Sequence, residues 1–163
     1  MLVACLLKCR SGLFLILLLV SNDEFSFALL NSNNMPNLVT AGALLTCMQG
    51  MAPAALIVLP LNRVMVEGKP AANIMDKIPL VNIPSFGLCR SPANPTVAAA
   101  TAAAMGVLTP MPCLPVIAAP WMPGATRTRI ANMPALHNTS SCLCNWGGTI
   151  RIGQPGTLRT QIN

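Results

Sequence analysis

The residues able to do chemistry in this 163-residue chain are its cysteines, seven of them against a single histidine, His137. Cys5 and Cys9 lie in an N-terminal stretch that reads unlike the rest. Cys47, Cys89, Cys113, Cys142 and Cys144 lie in the body of the sequence, each in or beside a turn. Zinc takes four tetrahedral ligands, and thiolates suit it. The usual C-x-x-C knuckles are missing, so ligands for such a site have to converge from separate loops. A cross-link of that kind closes loops that a small β domain otherwise holds poorly. Two other readings use the same residues. Buried cysteine without a ligand is a common, inert core residue. Disulfides need an oxidising compartment, and five is an odd count.

Other chemistry has few parts. After Met35 the acids are Glu67 and Asp76 alone. With one histidine and no thiol in a nucleophile setting, general acid–base catalysis lacks its components, and the expectation is a protein that is not an enzyme. His137 reads as a turn or surface residue, and Asp76 as a strand end or turn cap. Gly147-Gly148 is a bare turn rather than a loop that cradles phosphate.

The elements that position these residues are organised around 63–76, RVMVEGKPAANIMD, and an echo sixty-four residues later. Val64, Val66, Gly68, Pro70 and Ala71 correspond to Thr128, Ile130, Asn132, Pro134 and Ala135. Each copy alternates apolar or β-branched residues with others, as a strand with one buried face does. Gly68 and Asn132 sit where a turn needs positive φ. Proline two positions on cannot donate to a ladder and belongs at a strand start or an edge. The spacing predicts two β-hairpin units of one design, separated by an insertion.

In order, residues 38–47 predict a strand or short helix, 49–53 a turn and 55–59 a strand. After the first hairpin, 78–83 predicts a strand and 84–95 a loop. Residues 97–107, VAAATAAAMGV, predict a helix, since alanine has the highest propensity. Asn94 or Thr96 can cap its start and Gly106 lies near its end. Eleven residues are too short to cross a bilayer, and the helix is expected to pack flat against the β part. Residues 108–124 are proline-rich extended coil. The second hairpin and a strand at 149–152 complete the core. Residues from 154 onward are expected to fray.

Apolar residues make up 53% of the chain and charged ones 9%, with a mean hydropathy of +0.61. The longest apolar run, 13–20, falls short of the roughly 20 residues a spanning helix needs. So little charge suggests a chain that buries surface against something else; a compact core with a neutral exterior is the alternative. The net charge of +6 is scattered, without a basic stripe or stacking aromatics, which argues against nucleic acid as a partner. Arg127, Arg129, Arg151 and Arg159 suit either solvent or an acidic partner.

Residues 1–34 resemble a secretory signal, with Lys8 and Arg10 before an apolar octet, but Ser21-Asn22-Asp23-Glu24 offers no small-x-small cleavage site. Met35-Pro36-Asn37-Leu38 reads as a native start, which makes 1–34 upstream sequence. The domain is then expected over 35–157, with 158–163 as a tail.

From Met35 to about Gly156 the chain resembles the PAAR-like family of contractile injection systems, type VI secretion included. The segments that carry the resemblance are GALLTC, NRVMVEGKPAANIMD, VNIPSFGLCRSPANPTVAAATAAAMGVLTPMPC, APWMPG and MPALHNTSSCLCNWGG. The VxxGKPAA segment is similar to the strand-turn that gives the PAAR family its name, with Asn73 in place of the arginine. The resemblance implies a mainly β fold, a small hairpin cone with a short Ala-rich helix inserted. It implies a non-enzymatic tip on a trimeric, VgrG-type spike of bacteria, which docks effectors and touches the target membrane transiently. It implies a cytoplasmic protein before assembly, then one secreted or injected on the spike. The best-known PAAR tips hold zinc largely through histidines, a set that one histidine cannot supply. By motif position the implied replacement is Cys47, Cys89, Cys113 and Cys144, holding one zinc or iron, with Cys142 the less certain member of its pair. A membrane-associated protein anchored by its N-terminal apolar run, and an effector carrier, are the competing readings.

Overall fold

Both copies of the repeat fold as the same hairpin. Strands β3 (Met65–Val66) and β4 (Lys69–Pro70) pair as Met65 with Pro70; β7 (Arg129–Ile130) and β8 (Met133–Pro134) pair as Arg129 with Pro134. Each is closed by a two-residue turn with both residues at positive φ: Glu67 and Gly68 at 49° and 77°, Ala131 and Asn132 at 51° and 64°. Such turns match the right-handed twist of the strands they join.

The computed structural model describes residues 35–162, and the described residues belong to the unit 33–163. Residues 1–34, with their proposed leader and apolar octet, lie outside the described residues. The remaining strands are β1 (Leu44–Cys47), β2 (Ala54–Ala55), β5 (Leu88–Cys89), β6 (Met111–Pro112), β9 (Ser141–Cys144) and β10 (Gly148–Gln154). Four of these form one antiparallel sheet in the order β2-β1-β10-β9, and β5 pairs with β6. The described residues are mainly β, with one α-helix among them, α1 (Pro95–Ala103), and small hairpin sheets.

The hairpins are two arms of a threefold arrangement. Ala72 donates its amide to the Val39 carbonyl at 2.9 Å, Val39 to Leu136 at 2.9 Å, and Leu136 to Ala72 at 3.0 Å. This closed ring is repeated one step outward, where Ala41, Ile74 and Asn138 donate to Pro70, Pro134 and Asn37 at 2.9, 3.1 and 3.0 Å. Along each arm the same bond recurs at 2.9 Å, from Ala71 to Val64, from Ala135 to Thr128 and from Leu38 to Thr160. Residues 37–43 are therefore a third copy of 70–76 and 134–140, and residues 160–162 stand where 64–66 and 128–130 stand. Side chains follow the same symmetry: Leu38, Ala71 and Ala135 pack with Ile162, Val66 and Ile130 in one cluster. Closing strands into a ring pairs edges that would otherwise be left open. The larger cluster joins Leu45 and Ile150 of the four-stranded sheet to Leu56, Phe86 and Trp121.

The structure differs from the sequence reading in several places: the strand expected at 55–59 is only Ala54–Ala55, and β5 and β6 lie within the expected loop and coil. Residues 78–83 are a turn, not a strand: the buried Asn82 side chain accepts the Ile78 amide at 3.2 Å and donates to the Ile57 carbonyl at 2.9 Å, with Leu80 at φ 63°. The helix starts at Pro95, capped by the Asn94 side chain on the Thr96 amide, and stops at Ala103, before Met105 and Gly106 at positive φ. It does not lie flat on the sheet, since Val97 is its only buried residue. Residues 154–162 do not fray; they complete the third arm.

Candidate metal centre

Backbone pairing brings four cysteines onto neighbouring strands and turns. On the inner face of the sheet, β10 presents Gly148, Ile150 and Ile152. Cys47 of β1 pairs with Ile150, and on the other side Cys142 pairs with Ile150 and Cys144 with Gly148. Alternation puts Cys142 and Cys144 on one face of β9, both buried. Cys47 and Cys144 thus flank Gly148, where a Cβ would stand 2.7 Å from the Cys47 sulfur. Glycine at that position leaves the Cys47 thiol room to lie over the β10 backbone.

The other two thiols come from β5 and β6. Cys89 pairs with Met111, and Cys113, just past β6, donates its amide to Gly87 at 2.8 Å, so Cys89 and Cys113 are diagonal neighbours. Residues 49–52 bind this hairpin to the end of β1: Arg90 donates to Gln49 at 3.0 Å, Met51 to Leu88 at 3.0 Å and Ala52 to Phe86 at 3.0 Å. The turn after Cys144 is latched to the same region. Asn145 donates to Val116 at 2.8 Å, the Trp146 indole to Leu114 at 2.9 Å, and the Ser91 hydroxyl to the Trp146 carbonyl. Cys47 and Cys144 open matching turns, closed by Gly50 to Cys47 at 3.1 Å and Gly147 to Cys144 at 2.9 Å.

Electrostatics record the same convergence. Burial pushes the Cys47 thiol up, the Gln49 and Gly50 amides oppose that, and the Cys144 and Cys89 thiols add repulsion. Burial also pushes Cys113 up, against the Phe86 amide, with Cys89, Cys47 and Cys144 adding to the rise. Each of these two thiols therefore lies within the field of the others. Among the described residues, no three His, Cys, Asp or Glu side chains stand close enough together to hold a metal ion as they are. Neutral thiols have nothing to draw them inward and thiolates repel each other, whereas a divalent cation supplies the attraction and the deprotonation together. The donor set fits zinc or iron: thiol groups on separate loops, three of the four buried, with peptide amides turned towards Cys47 and Cys113. A metal held by these residues would cross-link β1, β5, β9 and the turn just past β6.

Cys142 lies on the same sheet face but deeper. Burial pushes it up to about 12, with Cys144 and Cys47 adding and Lys77 opposing. Among the described residues, all five cysteines are free of disulfides. His137 is buried rather than at the surface, its Nδ1 2.7 Å from the Thr139 hydroxyl and its ring bonded to the Gly124 carbonyl. Burial lowers its basicity. Asp76 does cap a turn, its carboxylate accepting the Asn73 amide at 2.8 Å, the place Ser140 takes in the next arm.

The sequence reading missed the third arm and Glu67, whose carboxylate gathers three successive amides, from Leu158, Arg159 and Thr160, at 3.0, 3.0 and 3.1 Å. Among the described residues no helix is long and apolar enough to cross a membrane. No curated protein and no solved structure matches the chain. A family model described as Domain of unknown function (DUF4280) matches residues 39–157, from the first strand of the ring through the last cysteine loop to the start of the closing segment. Most of the chain is covered, and the chain belongs to that family.

Proposed function

We propose that this protein is a PAAR-like tip: a non-enzymatic, metal-stabilised cap on the trimeric spike of a contractile injection machine, with secreted effectors as its cargo. The observation that carries the proposal is the ring of three equivalent arms built by one chain. A homotrimer ends in three identical surfaces related by a threefold axis, and a single chain with three equivalent arms can meet all three at once. Exposed apolar side chains suit a surface that a partner covers, Met65, Met75, Ile78 and Leu80 being 55%, 44%, 54% and 57% exposed. Cys47, Cys89, Cys113 and Cys144 hold the zinc or iron, which stiffens a small domain under load.

Mixing the full chain with a trimeric β-helical spike protein from the same genome and weighing the complex by native mass spectrometry tests this. One chain per trimer is the expected stoichiometry. Three chains per trimer, or no complex, would remove the capping role.

A further inference from the structure

Two arms of the ring are closed by covalent turns, at Glu67-Gly68 and at Ala131-Asn132. The third has none. Its limbs are residues 36–38 and 160–162, which approach from opposite ends of the domain and are joined by contacts alone. Asn37 bridges to Gln161, Leu38 donates to Thr160 at 2.9 Å and Ile162 donates to Pro36 at 2.8 Å. Only hydrogen bonds and side chains hold residues 158–162 in place.

Those contacts have the form of peptide recognition. The Glu67 Oε1 accepts the Thr160 hydroxyl at 2.9 Å as well as the Arg159 and Thr160 amides, and Oε2 accepts the Leu158 amide. Ile162 is buried among Leu38, Ala71, Ala125, Ile130 and Ala135, while Gln161 between them points to solvent. Alternate side chains are thus read, Thr160 by a carboxylate and Ile162 by an apolar socket, while the main chain adds a strand. Strand addition to an open edge works in this way. The segment hangs from Pro155-Gly156, with Gly156 at φ 81°.

We infer that the edge at 36–38, with Glu67 as its anchor, is a strand-exchange site for an extended Thr-x-Ile peptide. Residues 158–162 fill it in cis; when they are withdrawn, the same segment of a second copy takes their place. The short tether gives the cis segment a high effective concentration, so the site opens only by local release of the segment. This inference stands apart from the capping role and the metal.

The test uses the full chain and a fluorescent peptide of residues 158–163. Ile162→Asp places a charge in the apolar socket and releases the cis segment. The I162D chain is expected to bind the peptide, and the wild-type chain to leave it free at the same concentration. Adding Glu67→Gln to I162D should weaken binding by at least about tenfold, the weight of hydrogen bonds to a charged acceptor. Equal binding to both chains, or none to a folded I162D chain, overturns the inference. Hydrogen exchange on the wild-type chain covers the case where I162D fails to fold. The Leu158 to Ile162 amides and Leu38 should exchange well before Val39, Ala72 and Leu136; exchange of all together overturns it equally.

Discussion

A Cβ at Gly148 would stand 2.7 Å from the Sγ of Cys47, a separation no relaxed pair of these atoms keeps. Since Gly148 also pairs with Cys144, this one glycine sets how close the two thiols can lie. Gly148→Ala should displace the Cys47 thiol and cost about 1–3 kcal/mol by overpacking. Gly153→Ala, on the same strand but with no atom nearer than 3.6 Å, is the control. Thermal melts of both variants check this, and an equal shift in the two would contradict it.

Metal content, rather than stability, is the measurement that should separate the proposed ligands from a core cysteine. Serine at Cys47, Cys89, Cys113 or Cys144 should abolish metal binding. Cys142 is buried among apolar side chains, and a hydroxyl there costs about 1–3 kcal/mol without touching a ligand. Cys142→Ala is therefore the sharper comparison, expected to retain one metal per chain by elemental analysis. Metal loss in that variant would place Cys142 in the ligand set.

Glu67 ties the closing segment down as an anion. Its backbone bonds to Leu158 and Arg159 lower it from the usual 4.5 to about 2. A carboxylate lowered on folding adds stability in full above its unfolded value, and the gain fades as pH falls from 4.5 towards 2. Lys69, on the same cavity wall, donates to the Gly156 carbonyl at 3.3 Å. Acid melts from pH 5 to 2.5 should show a loss that Glu67→Gln removes, with the Gln variant less stable at pH 5. Parallel curves for the two would contradict the clamp.

His137 should make stability fall on mild acidification. Burial lowers its pKa below the ordinary 6.5, so the unfolded chain binds the extra proton first as pH drops through that value. The residue at the equivalent place in the neighbouring arm is Asn73, which accepts the Met75 amide at 2.8 Å. His137→Asn should keep the fold and flatten the dependence of the melting temperature between pH 7 and 5. An unchanged slope would assign it to another group.

The two hairpins were legible because their turns demand residue types: Gly68 and Asn132 mark positive φ, and Pro70 and Pro134 mark the following limb. The third arm was not, because its limbs lie at opposite ends of the domain and no turn joins them. Its side chains differ too, with Thr40 where the others carry Asn73 and His137. Residues 78–83 carry alternating apolar types, yet the buried Asn82 side chain bonds the local backbone and overrides the alternation. The four cysteines were legible as one set only through the family resemblance, because strand register rather than motif spacing brings their strands together. That register is set by Ile150, Met111 and Gly148, none of which signals chemistry by itself.

The account turns most directly on whether the four thiols hold a metal. Native mass spectrometry with elemental analysis, on chain purified reduced and without an affinity metal, measures it. One zinc or iron per folded chain, lost when Cys47 or Cys144 is replaced, is the result expected. A folded chain free of metal would contradict the centre and leave the cysteines as core packing.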